Sequence, residues 1–344
     1  MKKLKIFALG IVLLTLLPWV CNSQTSESAY KPPTQLGAMI FGAPDSLKSK
    51  LAILDSVGVT LTRDSHVTTT WNGSSSRMQY WTAHGVKVLL NVNFMPQTSK
   101  RSFVSGDYLV DYLDALVDII EKTKPAVVVI ENEELNAKYY SGPIEVYQNQ
   151  LKNSIDVAHA CGVEVTNGGF TTRDLRNLTY RDLATYDSVR AAWFLYNCIP
   201  EAERAKLVSG KSPALELTIS NAQRQLYWCA KSDLDYINVH LYVELINRTK
   251  SGLTTTENKL AGLQEILDYV VKVGGKPVIC NEAGIIRQDY QLSYDFAKFL
   301  SGSGIKYGCF WSGGAGYYHK VRDDGSSKLS KNGKGLRDFI KTID

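Results

Sequence analysis

Eight short apolar runs punctuate the chain: LGAMIFG from Leu36, GVTLTR ending at Arg63, VKVLLNVN from Val86, AVVVIEN from Ala126, VEVTNGG from Val163, YINVHLY ending at Tyr242, KPVICNE ending at Glu282 and IKYGCFW ending at Trp311. They are rich in β-branched and aromatic residues and short enough to be strands. Between them apolar positions recur every three to four residues, as in GDYLVDYLDALVDIIEKTKP and ENKLAGLQEILDYVVKVGG, the period of a helix with one buried face. Several helical stretches end in Gly just before the next run, and Pro125 and Pro277 stand at strand entrances. Strand and helix alternate throughout, which calls for parallel strands joined by crossover helices. Eight such units in this length predict an α/β fold, a (β/α)8 TIM barrel, rather than an open doubly wound sheet. The glycine-rich SGSGIKYG precedes a strand instead of joining strand to helix, so it cannot wrap helix amides around a pyrophosphate, and there is no phosphate-binding G-x-x-x-x-G-K-[ST] loop. About 65 residues separate the fifth run from the sixth, too many for one helix and its loops. This connection predicts an extra helical layer over the barrel mouth or flank.

The first residues change the picture of what folds. Lys2, Lys3 and Lys5 precede an apolar stretch and then small polar residues, the layout of a secretory signal peptide. Residues 1–23 are assigned to that signal and residues 24–344 to a single barrel domain, secreted or periplasmic. The apolar stretch is shorter than the roughly 20 residues of a spanning helix, and no second one follows. Cys21 is the alternative, a lipid anchor, but Val20 stands where a lipoprotein signal has a small residue. The formal net charge of +5 falls toward neutral once those lysines are removed, so charge argues neither for nucleic acid nor for a membrane surface. With 44% hydrophobic and 21% charged residues the composition is ordinarily globular, and a monomer is expected. Five cysteines remain: Cys161, Cys198, Cys229, Cys280 and Cys309. Their number is odd and their spacing wide, which is no disulfide framework, although Cys198 and Cys229 are a candidate pair in an oxidising compartment. The five histidines lack H-x-H or H-E-x-x-H spacing, so no metal and no cofactor are expected. Asn72, Asn177 and Asn247 sit in glycosylation sequons, which also arise by chance.

In a barrel of this kind the loops that follow the strands build the pocket, so chemistry belongs at the ends of the runs. Those ends hold Arg63, Asn91 and Asn93, Asn132 with Glu133, Asn167, His240 with Tyr242, Asn281 with Glu282, and Trp311; the beginnings hold Gly, Pro, Lys and aliphatics. Glu133 and Glu282 would face each other across the rim. Paired carboxyl groups of this kind cleave glycosides: one protonates the leaving oxygen and the other attacks or stabilises the anomeric carbon.

Asn132-Glu133 on the fourth strand and Glu282 on the seventh resemble the signature of the clan-A glycoside hydrolases, retaining (β/α)8 enzymes that include many cellulases, mannanases and β-xylosidases. The resemblance extends to Arg63 on the second strand, His240-Leu241-Tyr242 on the sixth, Trp311 on the eighth and the tail DDGSSKLSKNGKGLRDFI, and so spans most of residues 24–344. It implies that Glu133 is the acid/base, that Glu282 is the nucleophile, and that an oligo- or polysaccharide with a β-linkage is the substrate. Arg63, Asn93, Asn132, His240, Tyr242 and Trp311 are the expected substrate-binding and supporting residues. The clan often has Pro after the acid/base; here Glu134 follows and Glu131 precedes the pair, so both neighbours stay candidates. Glu133 is preferred because Asn132 beside it can then hold the sugar 2-hydroxyl, as the resemblance implies. Glu131 and Glu134 are read as supporting or solvated groups. Glu133 is expected to start protonated, its carboxyl lifted by Glu282 and by partial burial. Tyr317, Tyr318 and His319 are candidate subsite residues. The alternative reading is a carbohydrate-binding barrel without catalysis.

Overall fold

Alternation at period two decides which side chains enter the barrel, and the strands obey it except at the register shift between Asn238 and His240. The computed structural model describes residues 34–40, 46–95, 103–104, 106, 108–246, 254–312 and 328–343 of the 344-residue chain. All of them belong to one unit, Pro32–Asp344. The expected signal peptide with Cys21, the Asn247 sequon, Tyr317, Tyr318, His319 and the first part of the tail segment lie outside the described residues.

Among the described residues, nine parallel strand segments form two sheets, ordered β1-β9-β8-β7-β6 and β2-β3-β4-β5. They are β1 Gln35–Ile40, β2 Leu61–Val67, β3 Lys87–Asn93, β4 Val127–Ile130, β5 Glu164–Asn167, β6 Phe170–Thr171, β7 Ile237–Tyr242, β8 Val278–Gly284 and β9 Tyr307–Ser312. The sheets meet twice. Thr62 Oγ1 on β2 donates to the Ala38 carbonyl on β1 at 2.9 Å, and Thr166 on β5 bridges to Tyr236 just before β7. The β1–β2 approach needs a bare backbone, because a Cβ on Gly37 would fall 2.4 Å from the Leu61 carbonyl oxygen. The ring closes with eight strand positions, β5 and β6 being two pieces of the fifth. This is the expected (β/α)8 fold.

Helices α1 Leu47–Val57, α2 Ser76–Ala83, α3 Tyr108–Thr123, α4 Ile144–Ala160, α10 Thr256–Gly274, α11 Tyr290–Gly302 and α12 Lys331–Ile340 follow successive strands. On α3 the buried residues Tyr112, Leu116, Ile119, Ile120 and Thr123 recur at helical spacing and face the sheet. Each such Leu or Ile contributes about 1.5–3 kcal/mol by leaving water. Gly58 and Gly275 close α1 and α10 in the left-handed conformation, where a side chain would be strained. The long fifth connection holds α5 Thr172–Tyr186, α6 Ser188–Cys198, α7 Glu201–Ser209 and α8 Pro213–Lys231. Helix α8 packs against both α4 and α10 and takes a place in the outer ring, while α5 packs on α6, α8 and α10. Of the two placements expected for the added layer, the flank is the one observed. A short α9, Val243–Ile246, follows β7 and rests on α10 and α5.

The barrel interior is stratified along its axis. Leu61, Leu89, Val127, Tyr236, Ile279 and Tyr307 form an apolar plug with Cys309 and Met39. Two residues further along their strands come Arg63, Asn91, Asn238 and Asn281, and beyond these the carboxylates. Polar groups thus collect above a dry floor, which fixes their positions and lowers the local dielectric.

Candidate active site

Two local irregularities deliver the glutamates. Strand β4 stops at Ile130, and Glu131 and Glu133 adopt positive φ angles of 64° and 44°, a conformation that L side chains rarely take. This zigzag sends Glu131 outward beneath α4 and brings Glu133 back over the mouth. It is held by Glu133 N donating to the Gly168 carbonyl at 3.3 Å and by Asn136 N donating to the Glu133 carbonyl at 2.8 Å. On β8 the pairing slips: Asn238 of β7 faces Ile279 but His240 faces Glu282, so Cys280 and Asn281 together oppose the single residue Val239. The bulge turns both Asn281 and Glu282 toward the interior, where strict alternation would admit only one of them. A third device lies between β5 and β6. Gly169 has φ 121°, and a Cβ there would fall 2.3 Å from His240 Nε2, so only glycine lets the His240 ring stand where it does.

The result is a closed polar cluster. Arg63 Nη1 donates to Glu282 Oε2, Nη2 to Asn132 Oδ1 at 2.6 Å and Nε to Asn91 Oδ1 at 2.9 Å. Tyr242 Oη donates to the other Glu282 oxygen at 2.6 Å. His240 Nδ1 lies 3.0 Å from Glu133 Oε1 and its Nε2 2.9 Å from Asn281 Oδ1. Asn136 Nδ2 donates to Glu133 Oε2 at 2.7 Å. One oxygen of Glu133, one of Glu282 and one ring nitrogen of His240 all lie within 4.8 Å of one another. The Arg63 guanidinium sits 5.0 Å from the centroid of the half-buried Trp311 ring, a cation–π contact. The cluster is not laid out for a cation. Both Glu282 oxygens are taken by donors, one of them the permanently charged Arg63, and each His240 nitrogen faces an oxygen.

The charges depart from the expectation in one respect. Glu133 and Glu282 are 9% and 5% exposed, and burial by itself pushes a carboxyl up. For Glu133 the His240 hydrogen bond and charge, the Asn136 amide and the Arg63 charge outweigh burial and hold it below the usual carboxylate range. The expected upward shift of Glu133 is therefore corrected. Burial also works against a charged His240, but Glu282 and then Glu133 override it and raise the imidazole above its usual value. Burial and then Glu282 push the Tyr242 phenol well up, so it stays a donor.

No protein-family model and no curated protein matches the sequence. Solved structures do match in shape. The endo-β-1,4-mannanase of Thermotoga petrophila superposes over 90% of this chain and 77% of its own at 12% identity, with a TM-score of 0.53. A GH30 endoxylanase of Clostridium papyrosolvens C71 covers 91% and 73% at 13% identity and TM-score 0.53. An endo-β-1,3-glucanase of Sorangium cellulosum covers 88% and 97% at 11% identity and TM-score 0.50. The chain shares the barrel fold of these clan-A glycoside hydrolases. At such identities the likeness is one of fold.

Seven of the eight residues singled out in the sequence, Glu133, Glu282, Arg63, Asn132, His240, Tyr242 and Trp311, meet in this cluster. Asn93 is buried at the end of β3 and makes no hydrogen bond to either glutamate. Asn91 and Asn281, both read at strand ends in the sequence, join the cluster, and so do Asn136 and Asn238. Asn238 was visible only as an amide inside the run YINVHLY, and Asn136 carried no signal except its place three residues after Glu133. Cys198 and Cys229 are free thiols, as are Cys161, Cys280 and Cys309, so the candidate disulfide is absent.

Glu131 and Glu134 are not solvated; they are 1% and 5% exposed. Glu131 Oε1 accepts from Phe94 N at 2.9 Å and from Gln150 Nε2 at 2.7 Å, yet burial dominates and lifts its carboxyl to about 8. Glu134 accepts from Asn167 Nδ2 at 2.9 Å, and burial lifts it to about 7. From the ordinary value of 4.5 up to about 8, the folded chain keeps a proton on Glu131 that the unfolded chain has released. Stability therefore falls as pH rises through that window and levels off above it. Glu131→Gln preserves an oxygen for both donors and removes the titration. Urea midpoints measured across this range are expected to fall less steeply in the variant, most clearly above about 7, where Glu134 is past the midpoint of its own titration. Equal slopes in the two proteins would rule Glu131 out as the source.

Proposed function

We propose that this chain is a retaining glycoside hydrolase that cleaves a β-glycosidic bond in an oligo- or polysaccharide by double displacement. The observation that carries this reading is the approach of Glu133 and Glu282 oxygens within 4.8 Å. Carboxyl groups about 5–5.5 Å apart leave room for direct attack, whereas a gap of roughly 6.5–9.5 Å accommodates a water and inverts the product. In this reading Glu282, aimed by its hydrogen bonds from Arg63 and Tyr242, attacks the anomeric carbon, and the acid group at Glu133 protonates the departing oxygen. Glu133 then takes a proton from the water that releases the sugar from Glu282. Asn132 Nδ2 meets the 2-hydroxyl and Trp311 offers its face to a pyranose ring.

The mannanase, xylanase and glucanase that share the fold support the substrate class, a β-linked polysaccharide. Every group in the cluster comes from one chain, so a monomer suffices. No helix among the described residues is long and apolar enough to cross a membrane, and the signal-like first residues support secretion or a periplasmic location. The test is proton NMR of the reducing sugar released from a panel of β-linked aryl glycosides and polysaccharides. Retention predicts that the β-anomer appears first and mutarotates later. Initial release of the α-anomer would overturn double displacement, and no cleavage anywhere on a broad panel would overturn the hydrolase.

A further inference from the structure

Two asparagines and one arginine fix the orientation of a third asparagine's amide, and that amide fixes a proton. Arg63 Nε can only donate, so the atom it meets on Asn91 is the oxygen. The Asn91 nitrogen in turn donates to the Glu131 carbonyl at 2.9 Å, which confirms that orientation. Asn281 Nδ2 donates to Asn91 Oδ1 at 3.0 Å, so Asn281 turns its oxygen toward His240. A second anchor agrees: Asn281 N donates to Asn238 Oδ1 at 3.1 Å, which leaves Asn238 Nδ2 to donate to Asn281 Oδ1 at 2.9 Å. Asn238 is itself held, for its Nδ2 also faces the Asn167 and Gly168 carbonyls. His240 Nε2, 2.9 Å from Asn281 Oδ1, therefore has to carry a hydrogen. At the other edge of the ring, Nδ1 and Glu133 Oε1 are two potential acceptors 3.0 Å apart, and one proton has to lie between them.

We infer that Asn91 and Asn281 are positioning residues that lock His240 as its Nε2–H tautomer, so that the Glu133–His240 hydrogen bond retains one proton and the pair together supplies it to the leaving group. The last clause rests on the proposed glycosidase reading; the tautomer lock does not. The inference accounts for a Glu133 carboxyl that lies low and yet has to act as an acid. The proton resides toward the imidazole in the resting site and crosses to the glycosidic oxygen as that oxygen's bond to carbon breaks. The electron pair of the broken bond goes to the leaving oxygen while Glu282 bonds to the anomeric carbon. In the second step water bonds to that carbon, the Glu282–carbon bond breaks, and the water proton returns to Glu133 Oε1. Without the lock a neutral His240 could place its hydrogen on Nδ1, satisfy an ionised Glu133 and leave the pair without a proton to give. Among the described residues the other ionisable or charged groups facing this pair are Glu282 on β8, Arg63 on β2, Glu134 beyond β4, Tyr242 on the same strand as His240, and Asp174 in the first turn of α5.

The experiment is nitrogen-15 NMR of histidine-labelled full-length protein without substrate, titrated with pH, with the His240 resonances assigned among five histidines by their loss in His240→Gln. Nε2 is expected to remain protonated throughout, and the pair to lose its proton in one step. Asn281→Ala frees the other tautomer and is expected to lower that step by about one pH unit or more, a tenfold loss of proton affinity. Asn281→Asp puts a carboxylate against Nε2–H and is expected to raise it. A role confined to packing would not move the step in opposite directions. If neither variant folds, the wild-type spectrum still decides, because a bare Nε2 in the resting protein overturns the lock. In parallel, the alkaline limb of kcat/KM on a β-glycoside should follow the NMR step in each variant. A locked tautomer in a protein that cleaves no glycoside would overturn the catalytic clause and the proposed function while leaving the lock intact, and cleavage with a bare Nε2 would do the reverse.

Discussion

Glu282→Ala is expected to lower kcat by roughly five to six orders of magnitude, the scale on which removal of a nucleophile acts. Among the described residues no neighbouring group can replace it, since Tyr242 is held as a neutral phenol and Glu133 serves as the other carboxyl of the pair. The substitution also strands the Arg63 cation, 4% exposed, without its partner, and breaking a buried ion pair from one side costs about 3–5 kcal/mol. The melting temperature should fall accordingly. Both losses have a common remedy. Azide is a small anion that fits the space of the missing carboxylate, restores a negative charge beside Arg63 and attacks the anomeric carbon itself. Added azide should recover a measurable part of the turnover on an aryl β-glycoside, with a glycosyl azide of inverted configuration as product. Oligosaccharide binding measured by calorimetry should change little. Wild-type turnover in Glu282→Ala would remove the nucleophile assignment, and an unchanged biological role with no turnover in either protein would favour a binding barrel.

Glu133→Ala is expected to divide substrates by leaving group. Protonation contributes about 10²–10⁴-fold to such reactions, so glycosides with alkyl or sugar leaving groups should slow by that factor. Dinitrophenyl glycosides leave without help, and their first step should proceed near the normal rate. Their second step lacks the base that activates water, so the glycosyl-enzyme accumulates and KM falls together with kcat. Azide, which needs no base, should restore kcat for the dinitrophenyl substrate and not for the alkyl one. The same substitution at Glu131 or Glu134 should not produce this split, because their carboxyl groups point to Phe94 N with Gln150 and to Asn167. A uniform loss across leaving groups in Glu133→Ala would take the acid role away from Glu133.

The barrel was legible because its signal is local. Eight apolar runs separated by helical periodicity, with glycine at helix ends, specify strands, helices and their order without any distant contact. The strand ends could be read for the same reason: Arg63, His240, Tyr242 and Trp311 each close a run, and parallel strands in one ring put all such ends on one rim. Asn93 obeyed the same rule and still stands apart from the glutamates, since closing a strand does not give a side chain a partner. The fifth strand was read as one run, VEVTNGG, and is two pieces, because Gly169 has to leave space for a histidine 71 positions further along the chain.

What the sequence determined by itself, then, is the architecture, the rim that carries the polar residues, and the two glutamates worth testing. Each of these follows from residue type and from neighbours within a few positions. Tertiary structure alone decided the protonation of Glu133, the burial of Glu131 and Glu134, the inward turn of Glu282 at the β8 bulge and the amide chain from Arg63 to His240. These depend on electrostatic fields and hydrogen bonds between strands far apart in sequence, and a carboxyl or an imidazole takes its charge from whatever the fold sets beside it.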